Sequence, residues 1–469
     1  MIQSVGGESR LKRRAFLGGT AGLVASALLA ACGGTAATPA AGGAAGGATT
    51  TGATTTGATA VPASGGKRKT LLVWGRQQFL PESNAHFTES AKLAGQKGGF
   101  DVNVQLFTNE EHPQKEIVAM ESGTVPDIAY TYAPALWNQN GYALEVPDLY
   151  DTIGKSGGGW LPLADPGSNV GGKRIGIPMN NEPWILHLRK DLFEAAGVKL
   201  PLTSYDQMLD AFKKVNQADK NFFAFDGQMT EADWTGNCLQ FLWAFSGRLF
   251  DKSGVPTIDT PENLKGLTAY TDLFKNKLMP PGVVQQNSSG NNEAWLSQQT
   301  AAISNTGSVL LAMRKDNKDL LAKTYLQAFP SAIKEGQYNE CGGTAVMIIN
   351  KKSQAIDEAK QIALMVMSPD RYPGQLEKAG SYWFPIMKDT LNIPFFTQDE
   401  QNKQIVQNVV PYTLPANADT GLTPILDDIA IKATGDMLQA IVVQGKSPQE
   451  ALKGLAAAAA AAQEKFKKP

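Results

Sequence analysis

Cysteine and histidine are scarce in this chain: three of each in 469 residues. Neither a Cys-x-x-Cys nor a His-x-x-x-His spacing occurs, and His86, His112 and His187 are scattered, so no metal site is expected. Neither sign of charge is in excess. Lysine and arginine total 43 against 44 aspartates and glutamates, a formal net charge of −1. With no basic stripe either, binding to nucleic acid by electrostatics is excluded as a main activity. No repeat with a period of 20–50 residues is present. No motif places two carboxylates around a scissile bond, as a glycan-cleaving enzyme needs. Glu110-Glu111, followed by His112-Pro113, reads as a loop. No enzyme activity and no cofactor are therefore expected.

What is present begins with an export signal. Arg10 to Arg14 are basic, an apolar Gly- and Ala-rich run follows to Ala31, and Cys32 comes next. That order marks a processing segment, residues 1–31, and not part of the fold. The run is about 17 residues, marginal against the roughly 20 a membrane span requires. Arg13-Arg14 with Phe16-Leu17 resembles a twin-arginine signal; a Sec signal with two arginines is the alternative. Leu29-Ala30-Ala31-Cys32 resembles a lipobox, which implies lipid on Cys32 and an anchor at the extracytoplasmic face of the membrane. In a two-membrane host that would be the periplasm or outer membrane. Residues 33–66 are almost only Gly, Ala, Thr and Pro without charge. Such a segment cannot bury enough apolar surface to offset its conformational entropy, so 32–68 reads as a disordered tether. Its reach is on the order of 30 Å. Beyond Cys32 only Cys238 and Cys341 remain. A disulfide between them is permitted outside the cytoplasm, but two buried free thiols are the reading placed ahead of it.

The remaining ~400 residues suggest two domains. Lys69 to Trp74 is a short apolar strand, and Phe100 to Leu106 alternates as a second. Ser83 to Gln96 can form a helix between them, another helix begins at Glu116, and Asp127 to Tyr130 is a third strand. This alternation predicts α/β architecture with a parallel sheet. Ligands then bind outside the carboxyl ends of the strands, which nominates Trp74 to Gln78, Thr108 to Glu111 and Tyr130 to Trp137. Further on, Ser204 caps a helix with Met208, Leu209, Phe212 and Val215 on its apolar face. Helices are also expected from Trp234, Pro261 and Ala355, and in two parts from Thr423 to Phe466. Ala345 to Ile349 is a buried strand.

Several stretches together resemble a known family. They are Val125-Pro126-Asp127-Ile128, Gly176-Ile177-Pro178-Met179, Leu188-Arg189-Lys190-Asp191-Leu192-Phe193-Glu194-Ala195-Ala196-Gly197, Ala301 to Ser308, Gly343 to Pro369, and Gly445-Lys446-Ser447-Pro448 with Gln449 to Leu452. Each alone is weak, but their order and spacing over residues 69–466 are similar to family 1 of the extracellular solute-binding proteins, the sugar-handling cluster of ATP-binding-cassette importers. Val309 stands where that family often has a stacking Trp, Arg189 where it has Asn, and Tyr205 where it has Trp. The resemblance implies a two-lobed periplasmic-binding-protein-like fold of type II. Each lobe is expected to be a mostly parallel sheet flanked by helices, joined by a hinge. It implies an N-terminal lobe of 69–178 plus 338–375 and a C-terminal lobe of 179–335 plus 376–469. It also implies a monomer that delivers its solute to a permease.

A sugar offers hydroxyls at its rim and apolar C–H faces, so its site needs planar hydrogen-bonding groups and aromatic platforms. On that chemistry the candidates are Trp74, Arg76, Gln77, Tyr132, Asn180, Asn181, Glu182, Trp184, Trp234, Ser308, Tyr382 and Trp383. The expected function is carbohydrate capture. Another solute (polyol, polyamine or peptide) or an exported glycan-active enzyme is the alternative. Amide-rich loops favour a neutral ligand over a polyamine, which calls for clustered carboxylates.

Overall fold

Along Thr70–Arg76 every second side chain is buried, with Leu71 and Val73 fully enclosed. That period of two is a strand lying with one face on a core. In the computed structural model this strand is the second of a five-stranded sheet. The structure describes residues 69–466 except 110, 230–233, 252–253, 288, 415–422 and 431. Side chains at 234, 235, 427, 428, 430 and 432 are likewise outside the description. The expected export signal, Cys32, the expected tether and the Trp234 side chain thus lie outside the described residues.

The sheet runs Asp101–Phe107, Thr70–Arg76, Ile128–Thr131, Val346–Ile349, Ile177–Pro178. The first three strands are parallel, in register Thr70 to Asp101 and Val73 to Ile128. Val346–Ile349, which returns from much later in the chain, pairs antiparallel with Ile128–Thr131. The helix Pro81–Gly98 covers this sheet together with Ile356–Val366. Pro81 occupies the first turn, where its missing N–H is no loss. Gly99, at φ 77°, ends the helix in the left-handed region. Between these stops Ser83, His86, Phe87, Ser90, Ala91 and Ala94 recur at helical spacing on the buried face. Burial of Phe87 alone contributes about 1.5–3 kcal/mol.

A second core gathers around Phe193, Phe212, Phe225, Phe241 and Phe329. Here Ser204 caps Tyr205–Val215 by accepting from the Gln207 N–H at 3.2 Å, and Thr260 caps Pro261–Lys275 in the same way. Val309, in the place of the family's Trp, is buried in the first core. The strand directions in this lobe depart from expectation. Ile185–Arg189 pairs antiparallel with both Thr324–Gln327 and Ala302–Asn305. The two-lobed α/β class stands, but each sheet contains a strand that runs against its neighbours: Val346–Ile349 in the first and Ile185–Arg189 in the second. The reason is local. Ile185–Arg189 follows directly from the inter-lobe crossing and is not the product of a strand–helix–strand unit, so nothing sets it parallel to its neighbours.

Two crossings pair with each other at the hinge. Tyr338–Gly343 runs antiparallel to Glu182–Pro183, with Gly343 opposite Glu182, and parallel to Thr413–Leu414. Cys341 on this strand and Cys238 are both free and buried, and burial pushes the Cys238 thiol up to about 12. Two free buried thiols, the reading placed ahead, are what the fold contains.

Candidate functional site

Strand ends, a crossing and a helix start converge on one cavity of about 670 Å³, within the roughly 300–1,000 Å³ of small-molecule sites. From the first sheet come Arg76, Gln77, Gln78 and Phe79 after the first strand, Thr108 and Asn109 after the second, and Tyr132 after the third. The crossing supplies Glu182, Trp184 and Gly343, and Tyr382 comes from the return segment. The opposite wall carries Ser289, Asn292, Asn305, Thr306 and Ser308.

Arg76 organises the first wall. Its guanidinium lies 4.0 Å from the centroid of the Tyr132 ring. Nη2 donates to the Tyr132 and Tyr382 hydroxyls, both at 2.9 Å, and Nη1 donates to Asn109 Oδ1 at 3.0 Å. Glu182 stands 3.5 Å from Nη2. Its carboxylate accepts from the Tyr132 hydroxyl, from Tyr382 at 2.8 Å and from Asn180 Nδ2 at 2.7 Å. Burial by itself would lower the Arg76 pKa, but Tyr132, Tyr382 and Glu182 outweigh it and hold it well above its usual value. Burial likewise raises both tyrosine hydroxyls well out of the physiological range. Among the described residues the wall thus pairs one guanidinium with one carboxyl group beside two neutral phenols.

Trp184 sits on the crossing, its backbone N–H donating to Cys341 O at 2.8 Å. Its indole lies against Gly236 of the helix Trp234–Ala244. A Cβ at 236 would fall 2.0 Å from Trp184 Cε2, so only glycine admits the ring. Gly307 is a second enforced glycine. A Cβ there would meet the Ser381 carbonyl oxygen at 1.5 Å, and this approach brings Thr306 and Ser308 up to the return segment. Beneath the opposite wall, buried Asp226 accepts from Gln286 Nε2 at 2.7 Å, and Gln228 Nε2 donates to Asn287 O at 2.5 Å. These bonds anchor the loop that delivers Ser289 and Asn292. Burial pushes the Asp226 carboxyl up to about 6.

Of the residues named from sequence, the structure brings Arg76, Gln77, Tyr132, Glu182, Trp184, Ser308 and Tyr382 to the cavity. Four do not line it. Trp74 lies two residues before Arg76 on the same face of the strand, about 7 Å deeper, and packs edge-on against Phe107 at 5.2 Å. Trp383 is the extended residue that ends the 3-10 turn Gly380–Tyr382. Trp383 is 1% exposed and contacts Tyr130 at 6.1 Å. Asn180 is fully buried and structural: it orients Glu182 and accepts from the Ala345 N–H at 2.7 Å, tying the two crossings together. Asn181 is also enclosed and pairs through its backbone with Phe384. Phe79, Ser289 and Asn292 are lining residues that the sequence reading missed. Phe79 falls one residue past the nominated strand end. The amide- and serine-rich run from Gln285 to Asn292 is the signal that marks the other two. Among the described residues no helix is long and apolar enough to cross a membrane, and no group of three metal-ligating side chains occurs.

The model of a protein family described as bacterial extracellular solute-binding protein matches residues 84–370. The chain spans less than half the length of the curated relatives it matches. One of these, the mannitol-binding protein of Pseudomonas aeruginosa, is 28% identical over 166 residues, 34% of this chain and 36% of the relative. Among solved structures, a solute-binding protein from Thermotoga lettingae bound with α-D-tagatose superposes with a TM-score of 0.67 at 22% identity. It covers 85% of this chain and 100% of the other. A sugar transporter from Arthrobacter chlorophenolicus with bound laminaribiose gives a TM-score of 0.69 at 17% identity, over 84% and 99% of the two chains. At these identities the solved structures establish a shared two-lobed fold.

Proposed function

The chain belongs to the bacterial extracellular solute-binding protein family, and from that premise we propose that it captures a neutral carbohydrate between its lobes and delivers it to an ATP-binding-cassette permease. The observation that carries this reading is the composition of the cavity wall. Among the described residues its only charged lining groups are Arg76 and Glu182, and these are paired to each other. The rest is hydroxyl, amide and aromatic, which matches a ligand with a hydroxyl rim and apolar faces. Among the described lining residues a polyamine or an acidic peptide would meet no unpaired counter-charge. The sugars bound in the two structural relatives agree with this chemistry. A polyol is the second reading, favoured by the mannitol-binding relative. The lobes are drawn as 69–178 with 338–375 and 179–335 with 376–469, with the protein acting as a monomer that binds without turnover.

A thermal-shift screen over sugars, polyols, polyamines and peptides tests the reading. A ligand at 100 times its Kd stabilises by about 2.7 kcal/mol, so at least one sugar or polyol is expected to raise Tm clearly and to be recovered unchanged by chromatography. A shift from spermidine alone, or a cleaved oligosaccharide, would sink it.

Lipid on Cys32, an export signal over residues 1–31 and a tether over 32–68 complete the proposal. The Leu29-Ala30-Ala31-Cys32 run supports the anchor. Cells fed radiolabelled palmitate are expected to label the wild-type protein, while Cys32→Ala is unlabelled and partitions with the soluble fraction. Equal labelling of both would exclude this anchor.

A further inference from the structure

Phe79 is 64% exposed, and of the exposed large hydrophobic side chains among the described residues it alone lines the cavity. An isolated exposed ring on a loop would carry little meaning, but this one is held from several sides. The Gln77 N–H donates to Phe107 O at 2.7 Å, and the Gln78 N–H donates to Asn84 Oδ1 at 2.7 Å. Pro81 then opens the following helix, whose first turn closes on Leu80 through the Ser83 N–H at 3.0 Å. The ring stands edge-on to Tyr382, with centroids 4.7 Å apart and planes at 87°. Tyr382 is itself locked by Glu182 and Arg76. A rigid backbone and a fixed supporting ring thus display an apolar face at the cavity rim at little further entropic cost.

Trp184 is the other apolar platform of the site, set on the crossing against Gly236. Two platforms, one at the hinge and one at the rim, suit a ligand with more than one ring. Resting on the carbohydrate reading above, we infer that the ligand is a neutral oligosaccharide of at least two units, and that Phe79 selects for length by stacking on its second ring while Trp184 carries the first. Phe79 is thereby a specificity-determining residue for the length of the solute.

Calorimetric titration of the wild type, Phe79→Ala and Phe79→Trp with glucose, mannitol, maltose and laminaribiose tests this. A disaccharide is expected to bind the wild type tighter than glucose or mannitol. Phe79→Ala should weaken that disaccharide by on the order of tenfold, weaken glucose and mannitol by a smaller factor, and be rescued by Phe79→Trp. Phe79 is largely exposed, so the alanine variant is expected to melt with the wild type. If Phe79→Ala leaves the disaccharide unaffected, or weakens single units as much as disaccharides, the role of Phe79 is overturned while the carbohydrate reading survives. If the single units bind tighter than either disaccharide, the length inference fails. If none of the four binds and the thermal screen finds no other sugar, both fall together.

Discussion

Replacing Glu182 by alanine is expected to lower the unfolding free energy by about 3–5 kcal/mol, the range for removing one partner of a buried ion pair. The reason lies with Arg76. Its side chain is 15% exposed and that of Glu182 is 8% exposed, so little solvent screens the pair. A guanidinium does not deprotonate. Without Glu182 it remains charged, facing only the Tyr132 and Tyr382 hydroxyls and Asn109. The two hydroxyls lose an acceptor at the same time. Urea unfolding at neutral pH reads this loss directly. Glu182→Gln keeps the shape and removes the charge, and should be destabilised nearly as much. Arg76→Met combined with Glu182→Leu removes both charges and should recover most of the loss, because the penalty comes from the widowed charge and not from the missing contact. If the single variant unfolds within about 0.5 kcal/mol of wild type, the magnitude of an ordinary surface change, the pair is not the keystone of this wall.

The second large effect is expected at Trp184. Truncation to alanine removes the platform at the hinge and should weaken the sugar found in the screen by about 2 kcal/mol or more, roughly thirtyfold. Trp184→Phe keeps an aromatic face and should recover a large part. Gly236→Val is an independent probe. It leaves the indole in the chain but drives it off the helix, since even a Cβ at 236 would lie 2.0 Å from Cε2. Its affinity should fall with that of Trp184→Ala. Calorimetry on all three separates the two roles open to this residue. Unchanged affinity in Trp184→Ala would make it a structural ring only.

How far the site could be read in advance depended on the residue. Arg76, Gln77 and Tyr132 stand at the carboxyl ends of parallel strands, and a strand period of two with a strand–helix–strand order is enough to nominate them. Glu182 and Trp184 were legible as a polar–aromatic run at a crossing. Trp74 and Trp383 carried the same composition signal and lie elsewhere: Trp74 sits two positions deeper along its strand, against Phe107, and Trp383 ends a 3-10 turn and is buried against Tyr130. Phe79 could not be ranked above any other phenylalanine, since its exposure depends on Asn84, Phe107 and Tyr382 holding its loop.

By itself the sequence determined the family, the α/β alternation of the first lobe, the helix cap at Ser204 and the near balance of positive and negative charge. These follow from local periodicity, backbone preference and composition, which act over a few residues or over the whole chain at once. The tertiary structure alone decided the antiparallel pairing of Ile185–Arg189, the coupling of Arg76 to Glu182 across 106 residues, the seat of Trp184 on Gly236 and the rim position of Phe79. Each of these depends on close contact between segments far apart in the chain, and contacts of that range are settled only when the cores pack.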